Sequence, residues 1–225
     1  MSTPTPPNGS PEGEAHIPFN PEHFLDERQR PILVVINDIR ELAKSGEKET
    51  YEDQDKKGRR KAIQDDAAPI LTELVRTQKP RHIFEAGTAY GFSGLYMALG
   101  APDAHMTTVE WDPDVAAKAQ SHFDAAGLTD FKVYDGNAID VIKKLDIPVD
   151  MVFLDHEKTQ YGADLRALIE GGHLANGALI VADNVNDRRK ECQDLVDLVV
   201  GSPEFINVDV LPTNAGLLVA TYQPS

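Results

Sequence analysis

Two short segments of the chain carry oxygen-bearing side chains in an arrangement that suits a small divalent cation. Asp155 follows one apolar run, and Asp183 and Asn184 follow the next. If these runs are neighbouring strands, their ends lie about 4.8 Å apart, so both carboxylates and the Asn184 carbonyl can face one ion. Mg²⁺ prefers octahedral oxygen coordination with open positions for water or substrate. Each carboxylate alone could be a helix cap or a surface charge, but the three together favour a metal site.

Lys158 stands three residues beyond Asp155 and is predicted to point into the same space. A lysine with its ordinary pKa of about 10.4 is a poor base. A neighbouring dication and removal from water both favour the neutral amine. Lys158 is therefore a candidate proton acceptor beside the metal, and the alternative is an ordinary surface lysine.

A glycine-containing turn follows the first predicted strand and could border a nucleoside-like ligand. Gly87 and Gly91 let the backbone approach a ligand closely, and the helix N-terminus that follows offers free N–H groups. The turn is not G-x-G-x-x-G, so a purely structural turn is the alternative. Its candidate binding residues are Glu85, Gly87, Thr88, Tyr90, Gly91 and Ser93.

Two further strand ends extend this candidate ligand site. Glu110, followed by Trp111, lies roughly 20 residues past the glycine turn, where a carboxylate can accept hydrogen bonds from ribose hydroxyls. Sheets that bind nicotinamide cofactors and sheets that bind adenosylmethionine share this feature, so it does not choose between them. After the third strand, residues 135–138 either border an adenine or begin a helix with Asp135 as its N-cap. The candidate binding residues there are Gly136, Asn137 and Ala138.

Alternating strands and helices would bring these segments to one edge of a sheet. The apolar runs predict strands at 82–86, 106–110, 131–134, 149–155 and 178–183, followed respectively by helices at 93–99, 113–126, 138–145, 161–174 and 190–200. Final strands at 206–211 and 216–222 leave no room for a crossover helix and must form an antiparallel hairpin. Five strand–helix units predict an α/β fold with a doubly wound, mostly parallel sheet.

The N-terminal third is predicted to form a tail and a helical cap. Residues 1–20 are rich in Pro, Gly, Ser and Thr, which predicts a disordered tail. Amphipathic patterns predict helices at 21–43 and 60–77, within a cap at 21–79 of a single domain at 21–225. The charged, glycine-containing segment between the helices is a candidate lid that carries Tyr51.

Composition narrows the class of protein and of partner. A chain of 225 residues with 41% hydrophobic residues can bury one sizeable core. The net charge of −15 argues against nucleic acid or an anionic membrane as the main partner, because both require clustered positive charge. With a single cysteine, Cys192, no internal disulfide can form, and no secretory signal or long apolar run is present. These features predict a soluble, cytoplasmic protein.

The segments around the predicted metal site resemble the catechol O-methyltransferase family. Residues 151–161 are similar to that family's metal and base motif, Asp-His-Trp-Lys followed by Tyr. Residues 179–185 are similar to its second metal motif, which ends Ala-Asp-Asn-Val. The Glu-x-Gly-x-x-x-Gly-x-Ser turn, the Val-Glu pair and the Asp-Gly-x-Ala turn also match, and the similarity covers about residues 57–222.

The resemblance implies a Rossmann-like class I methyltransferase with seven strands and helices on both faces. It implies an enzyme that methylates one hydroxyl of a catechol-like small molecule. S-adenosyl-L-methionine would lie over Gly87, with Glu110 bound to its ribose. The implied ligands of Mg²⁺, or of another divalent cation, are Asp155, Asp183 and Asn184.

The resemblance also assigns roles beyond the metal ligands. Lys158 would take the proton from the attacking hydroxyl. His156 would lie near the cofactor, although a structural histidine is the alternative. Counting back from Gly216, Asp209 would correspond to the family's substrate-contacting Glu.

Two positions depart from the family's pattern. Glu157 stands where the family has an adenine-stacking Trp, so that contact is missing or supplied elsewhere. The loop at 186–189, apolar and Pro-containing in the animal enzymes, is polar here and includes Arg188. This rim suggests a substrate more polar than a simple catecholamine, such as one that carries a carboxylate.

Other functions are alternatives on the sequence alone. A nicotinamide-dependent oxidoreductase would need a tighter glycine fingerprint and has no use for paired metal motifs. A non-enzymatic small-molecule binding or scaffold protein would not need the intact set of Asp155, Lys158, Asp183 and Asn184. A metal-independent methyltransferase should survive chelation. The helix at 21–43 could cap the active site or make a homodimer contact.

Overall fold

The computed structural model describes residues 27–45 and 63–224. Seven strands form one sheet: β1 (His82–Ala86), β2 (His105–Glu110), β3 (Phe131–Asp135), β4 (Val149–Leu154), β5 (Leu174–Ala182), β6 (Phe205–Leu211) and β7 (Leu217–Tyr222). Their order is β3-β2-β1-β4-β5-β7-β6, with β1 to β5 parallel and β7 antiparallel to both of its neighbours. The predicted seven-stranded α/β sheet with a C-terminal antiparallel hairpin is confirmed.

Helices cover both faces of the sheet. They are α1 (Gln29–Ser45), α2 (Ala67–Gln78), α3 (Phe92–Gly100), α4 (Pro113–Ala125), α5 (Ala138–Ile142), α6 (Tyr161–Glu170) and α7 (Gln193–Gly201), and a short 3₁₀ turn at Lys158–Gln160 precedes α6. Side chains of α1 to α4 pack in one apolar core, and those of α5 to α7 pack in a second core on the opposite face. Neighbouring residues of β1 alternate between the two, since Ile83 belongs to the first core and Phe84 to the second.

Several predicted boundaries differ from the structure for local reasons. The helix predicted at 161–174 ends at Glu170, because the chain turns at Gly172 (φ +68°) and β5 already begins at Leu174. α5 ends at Ile142 rather than 145, because the next residues form tighter i to i−3 hydrogen bonds. α7 begins at Gln193, after a series of turns.

Some predictions fall on residues that the structure does not describe. These are the tail at 1–20, the start of the first helix, and most of the candidate lid with Tyr51. Within 27–45 and 63–224, each helix is too short or too polar to cross a membrane.

The strand order reverses between β1 and β4. From β1 the chain continues outward to β2 and β3, and then returns to add β4 and β5 on the other side of β1. In open α/β sheets, ligands bind beyond the carboxyl ends of the strands at such a point. The residues that follow β1, β2, β4 and β5 are therefore the ones that the fold brings together.

Candidate active site

A cavity of about 930 Å³ opens at the carboxyl ends of these strands. Among the residues predicted from the sequence, those that line it are Gly87, Thr88, Ser93, Glu110, Trp111, Gly136, Asn137, Ala138, Asp155, His156, Lys158, Asp183, Asn184 and Arg188. Three predicted residues of the glycine turn, Glu85, Tyr90 and Gly91, do not line it. The fold thus gathers both candidate metal segments and all three candidate cofactor turns around one space.

Gly87 packs the first turn directly against the end of β4. Its φ of +104° lies in the region that favours glycine, and a Cβ atom there would stand 2.6 Å from the backbone oxygen of Asp155. The Gly87 N–H donates to the Val109 carbonyl at 2.9 Å. The glycine is therefore required by backbone packing, and its exposed side also lines the cavity.

Glu85 forms a buried polar layer beneath that turn. Its carboxylate is fully buried and accepts hydrogen bonds from the hydroxyls of Ser93 and Thr108. Burial raises the pKa of Glu85 to about 7, opposed by these two hydrogen bonds and reinforced by the charges of Asp155 and Glu110. Glu85 thus supports the turn from below rather than facing the cavity.

Glu110 is held at the end of β2 by two backbone donors. Its Oε2 accepts the Ala89 N–H at 2.8 Å, and its Oε1 accepts the Asp112 N–H at 3.1 Å. The neighbouring Trp111 is 75% exposed and contributes to the lining of the cavity. The fixed Glu110 carboxylate and the exposed Trp111 ring are therefore neighbours at the rim of the cavity.

The third turn begins α5 with Asn137 rather than Asp135. Asn137 is extended (φ −88°, ψ 134°), and its side chain accepts the Ile139 N–H at 2.9 Å, which makes it the N-cap. The alternative that Asp135 is the cap is wrong, because Asp135 is the last residue of β3 and pairs with Glu110. Gly136 has a φ of +120° with open space at its Cβ position, so its backbone is accessible from the cavity.

The two candidate metal segments follow residues that pair directly across β4 and β5. Leu154 is opposite Ala182, and the Asp183 N–H donates to the Leu154 carbonyl at 3.0 Å. Asp183 is only 2% exposed. Burial, and then the charge of Asp155, raise the pKa of Asp183 to about 7. Two carboxylates are thus held close enough for one to disfavour ionisation of the other.

Asn184 adopts a left-handed conformation (φ +63°) that turns the chain back at this point. Its N–H donates to Asp183 Oδ1 at 2.8 Å, and its backbone carbonyl accepts the Arg188 N–H at 3.0 Å. Because the backbone carbonyl is already engaged, the side-chain amide is the Asn184 oxygen better suited to a metal ion.

Lys158 lies beside Asp155 and over the buried Tyr161 ring. Its Nζ is 2.9 Å from Asp155 Oδ1 and 5.2 Å from the centre of the Tyr161 ring. The Lys158 and Asp155 side chains are 14% and 18% exposed, so this ion pair is largely shielded from water. The Tyr161 hydroxyl in turn donates to the Asp183 carbonyl at 3.3 Å. A single amine is therefore fixed beside the predicted metal ligands.

His156 faces a buried acid that the sequence did not reveal. Its Nε2 lies 2.8 Å from Asp164 Oδ2, but the two groups are not aligned for a hydrogen bond. Asp164 is 2% exposed, and both residues line the cavity. An acid on the apolar face of α6, between Tyr161 and Leu165, is the signal that could have drawn attention to Asp164.

Arg188, Asp187 and Glu191 form one side of the cavity rim, whereas the predicted Asp209 lies elsewhere. Arg188 contacts Glu191, with Nη1 3.3 Å from Oε1, and Asp187 lines the same side. Asp209 does not reach the cavity, because it lies on the exposed edge strand β6. The lining residues that had no assigned role in the sequence are Ile63, Gln64, Ala86, Ala89, Phe92, Val109, Gln160, Asp164 and Glu191.

No cluster of three or more His, Cys, Asp or Glu side chains suited to a metal ion occurs in residues 27–45 and 63–224. A metal in this cavity would therefore rely on two carboxylates and an amide, with water or substrate completing its coordination. That donor set is typical of Mg²⁺, which usually takes one or two carboxylates and keeps several waters.

Comparison with known proteins identifies the family. A sequence model described as O-methyltransferase matches residues 37–191, which is more than half of the chain. The chain belongs to this O-methyltransferase family. Catechol O-methyltransferase of Sus scrofa is 42% identical over 144 residues, which cover 61% of this chain and 71% of the pig protein. The mouse enzyme is 36% identical over 151 residues, and the chain spans only 52% of its length. The predicted enzyme class and the resemblance to catechol O-methyltransferases are confirmed.

Solved structures of other methyltransferases share the fold of this family member. An O-methyltransferase from Bacillus cereus in complex with SAH superposes with a TM-score of 0.67 at 21% identity, over 93% of this chain and 94% of that one. A methyltransferase from Podospora anserina gives 0.69 at 21% identity, over 89% of each chain. The Rossmann-like methyltransferase fold expected from the sequence is confirmed.

Proposed function

We propose that this O-methyltransferase uses S-adenosyl-L-methionine and a divalent cation, Mg²⁺, to methylate one hydroxyl of a catechol or another vicinal dihydroxyarene. The observation that carries the proposal is that Asp155 and Asp183 directly follow residues paired across β4 and β5, with the Lys158 amine beside Asp155 in the same cavity. Relatives named catechol O-methyltransferase at up to 42% identity support the same reaction class.

The cofactor would occupy the part of the cavity bordered by the first three turns. Glu110 offers a fixed carboxylate to ribose hydroxyls, and the backbone around Gly87 and Gly136 is accessible to a ligand. The Bacillus cereus protein of the same fold, solved with SAH, supports an adenosyl ligand here. Bound adenosylmethionine would supply the methyl group.

The residues present fit a divalent cation. Asp183 is buried, faces a second carboxylate, and has its pKa raised for those reasons, so a dication between the carboxylates would relieve their repulsion. Asp155, Asp183 and the Asn184 amide would hold it. When bound, the metal would lower the pKa of the acceptor's hydroxyls.

Lys158 would move the proton. Its Nζ is the only Lys or Arg nitrogen other than those of Arg188 on the cavity wall formed by the described residues. The 3₁₀ turn at Lys158–Gln160 and the Tyr161 ring fix the amine beside Asp155. Removal from water and a dication held at Asp155 would favour the neutral amine, and in that form Nζ would take the proton from the hydroxyl to be methylated. The shielded walls would align donor and acceptor and exclude bulk water.

The acceptor would be a small molecule with a polar substituent. The rim beyond Asn184 presents Asp187, Arg188 and Glu191 to the cavity. Arg188 offers a guanidinium that an acceptor carboxylate could recruit from its contact with Glu191. We therefore propose caffeoyl acids and similar carboxylated catechols as better acceptors than simple catecholamines.

A methyl-transfer assay over catechols, caffeoyl acids and flavonoids, each with and without EDTA, tests this function. The proposal predicts transfer to vicinal dihydroxyarenes that stops on chelation and returns with Mg²⁺. Transfer that continues in excess chelator would instead indicate a metal-independent methyltransferase. A melting shift with a nicotinamide cofactor but none with adenosylmethionine would indicate an oxidoreductase site.

A further inference from the structure

Asp66 stands at the start of α2 but does not cap that helix. An aspartate at this position usually accepts an N–H of its own helix. The Asp66 backbone is instead already helical (φ −83°, ψ −26°), and its side chain makes no capping hydrogen bond. The first N–H groups of α2 are satisfied by Gln64, whose carbonyl accepts from Ala67 and Ala68 at 3.0 Å. Asp66 therefore does not perform the helix-capping role that is usual for an aspartate at this position.

The Asp66 carboxylate reaches a distant loop instead. Its Oδ2 accepts the N–H of Asn214, 148 residues later in the chain, at 2.6 Å. Asn214 belongs to the β6–β7 loop (residues 212–216). Among residues 27–45 and 63–224, Asp66 Oδ1 and the Thr213 hydroxyl are buried without hydrogen-bond partners, an arrangement that costs stability.

The β6–β7 loop in turn holds the loop that carries the candidate metal ligands, the Asp183 loop (residues 183–188). The Ala215 carbonyl accepts the N–H groups of Asn186 at 2.9 Å and Asp187 at 3.3 Å. The Gly216 carbonyl accepts the Val185 N–H at 3.0 Å. A chain of hydrogen bonds thus runs from the start of α2, through the β6–β7 loop, to the Asp183 loop.

The segment that precedes Asp66 borders the same cavity as the Asp183 loop. Ile63 and Gln64, just before Asp66, line the cavity. The segment before α2 and the Asp183 loop therefore form two walls of the same space, and Asp66 is the described link between them.

We propose that Asp66 is a positioning residue that ties the start of α2 to the Asp183 loop through Asn214, and so sets the acceptor side of the cavity. Its effect on acceptor binding rests on the proposed function, whereas its effect on the two loops does not. Asp66 acts through the hydrogen bond from Asn214, so an oxygen at this position is needed more than a charge.

Hydrogen–deuterium exchange on the full chain tests the proposal without any ligand. Asp66→Ala removes the acceptor oxygen, and Asp66→Asn keeps an oxygen but removes the charge. Asp65→Asn is the matched control, because Asp65 is a neighbouring carboxylate that pairs with Arg40 at 3.1 Å. Circular dichroism verifies that each variant is folded.

Amide exchange across both loops should rise on the order of tenfold in Asp66→Ala, the loss of one charge-assisted hydrogen bond. Asp66→Asn, which keeps the acceptor oxygen but loses the charge, should show a smaller rise, and Asp65→Asn should match the unmodified chain. In the transfer assay, the acceptor KM of Asp66→Ala should rise several-fold. Cofactor affinity, read from the fluorescence of Trp111, the single tryptophan, should change less than about twofold.

Unchanged exchange in the Asp183 loop of Asp66→Ala would overturn the proposal, as would an Asp66→Asn variant that exchanges as fast as Asp66→Ala. An unprotected Asn214 amide in the unmodified chain would overturn it as well, whether or not Asp66→Ala folds. If methyl transfer is absent but the exchange pattern holds, the proposed function fails while the positioning role stands.

Discussion

Replacing Gly87 by alanine should damage the fold and the cofactor site together. The new Cβ would lie 2.6, 2.7 and 2.8 Å from the Asp155 oxygen, the Asp155 carbonyl carbon and the His156 nitrogen, all of them backbone atoms that no side-chain rotation can move. The φ of +104° adds strain of roughly 1–3 kcal/mol, and overpacking adds about 1–3 kcal/mol. We expect a loss of about 2–6 kcal/mol, or on the order of 10 °C in melting temperature.

The Gly127→Ala variant distinguishes the cost of backbone strain from the cost of steric overlap. Gly127 also has a positive φ (+75°), but no atom of the described residues lies within 4 Å of its Cβ position, and it does not line the cavity. Strain alone should cost it about 1–2 kcal/mol. Urea unfolding followed by circular dichroism gives both losses, and quenching of Trp111 fluorescence gives cofactor affinity. If the two variants unfold alike and Gly87→Ala binds adenosylmethionine normally, the packing argument for Gly87 is incorrect.

Three further variants report on the proposed base and on two buried titratable residues of β1. Lys158→Ala should lower turnover on the order of 10²–10⁴-fold while cofactor affinity survives, and near-normal turnover would exclude the amine as the base. Burial, and then the charge of His105, lower the pKa of His82, so its contribution to stability is present above its ordinary pKa and is lost on acidification. The urea midpoint of His82→Gln should therefore fall less than that of the unmodified chain in acidic buffer. Burial raises the pKa of Glu85 to about 7, so its contribution is lost as pH rises through that value. Glu85→Gln should accordingly gain more stability relative to the unmodified chain in alkaline than in acidic buffer.

Apolar runs predicted most of the sheet. They predict β1 at its observed bounds and most other strands to within one residue, because the buried strands of a covered sheet are nearly continuous apolar segments. They do not predict the beginning of β5, since its first four residues are partly buried or exposed and include Asn176 and Gly177. Its pairing with β4 is also irregular there, with a register shift between Val149 and Met151. Such pairing depends on the neighbouring strand and leaves no mark in the local sequence.

The candidate site was predictable where its residues directly follow strands. Asp155 and Asp183 meet because parallel strands end at one edge of a sheet. Asp164 and Asp66 were not predicted, because each gains its role from a residue that only the tertiary fold brings near. Its spacing from Gly216 predicts Asp209 as a substrate contact, but β6 is the edge strand and leaves Asp209 exposed. The Asp209 carboxylate accepts the N–H of Val210, the next residue.

Binding of a divalent cation between the two carboxylates is the central proposal, and one titration tests it most directly. Mn²⁺, a paramagnetic ion that also suits carboxylate and carbonyl ligands, can be titrated into the adenosylmethionine-loaded protein and into Asp183→Asn while the signal of free Mn²⁺ is followed by electron paramagnetic resonance. The account predicts one tight site per chain that competes with Mg²⁺ and is lost in Asp183→Asn. No tight site in the unmodified chain, or equal binding by the variant, would contradict it.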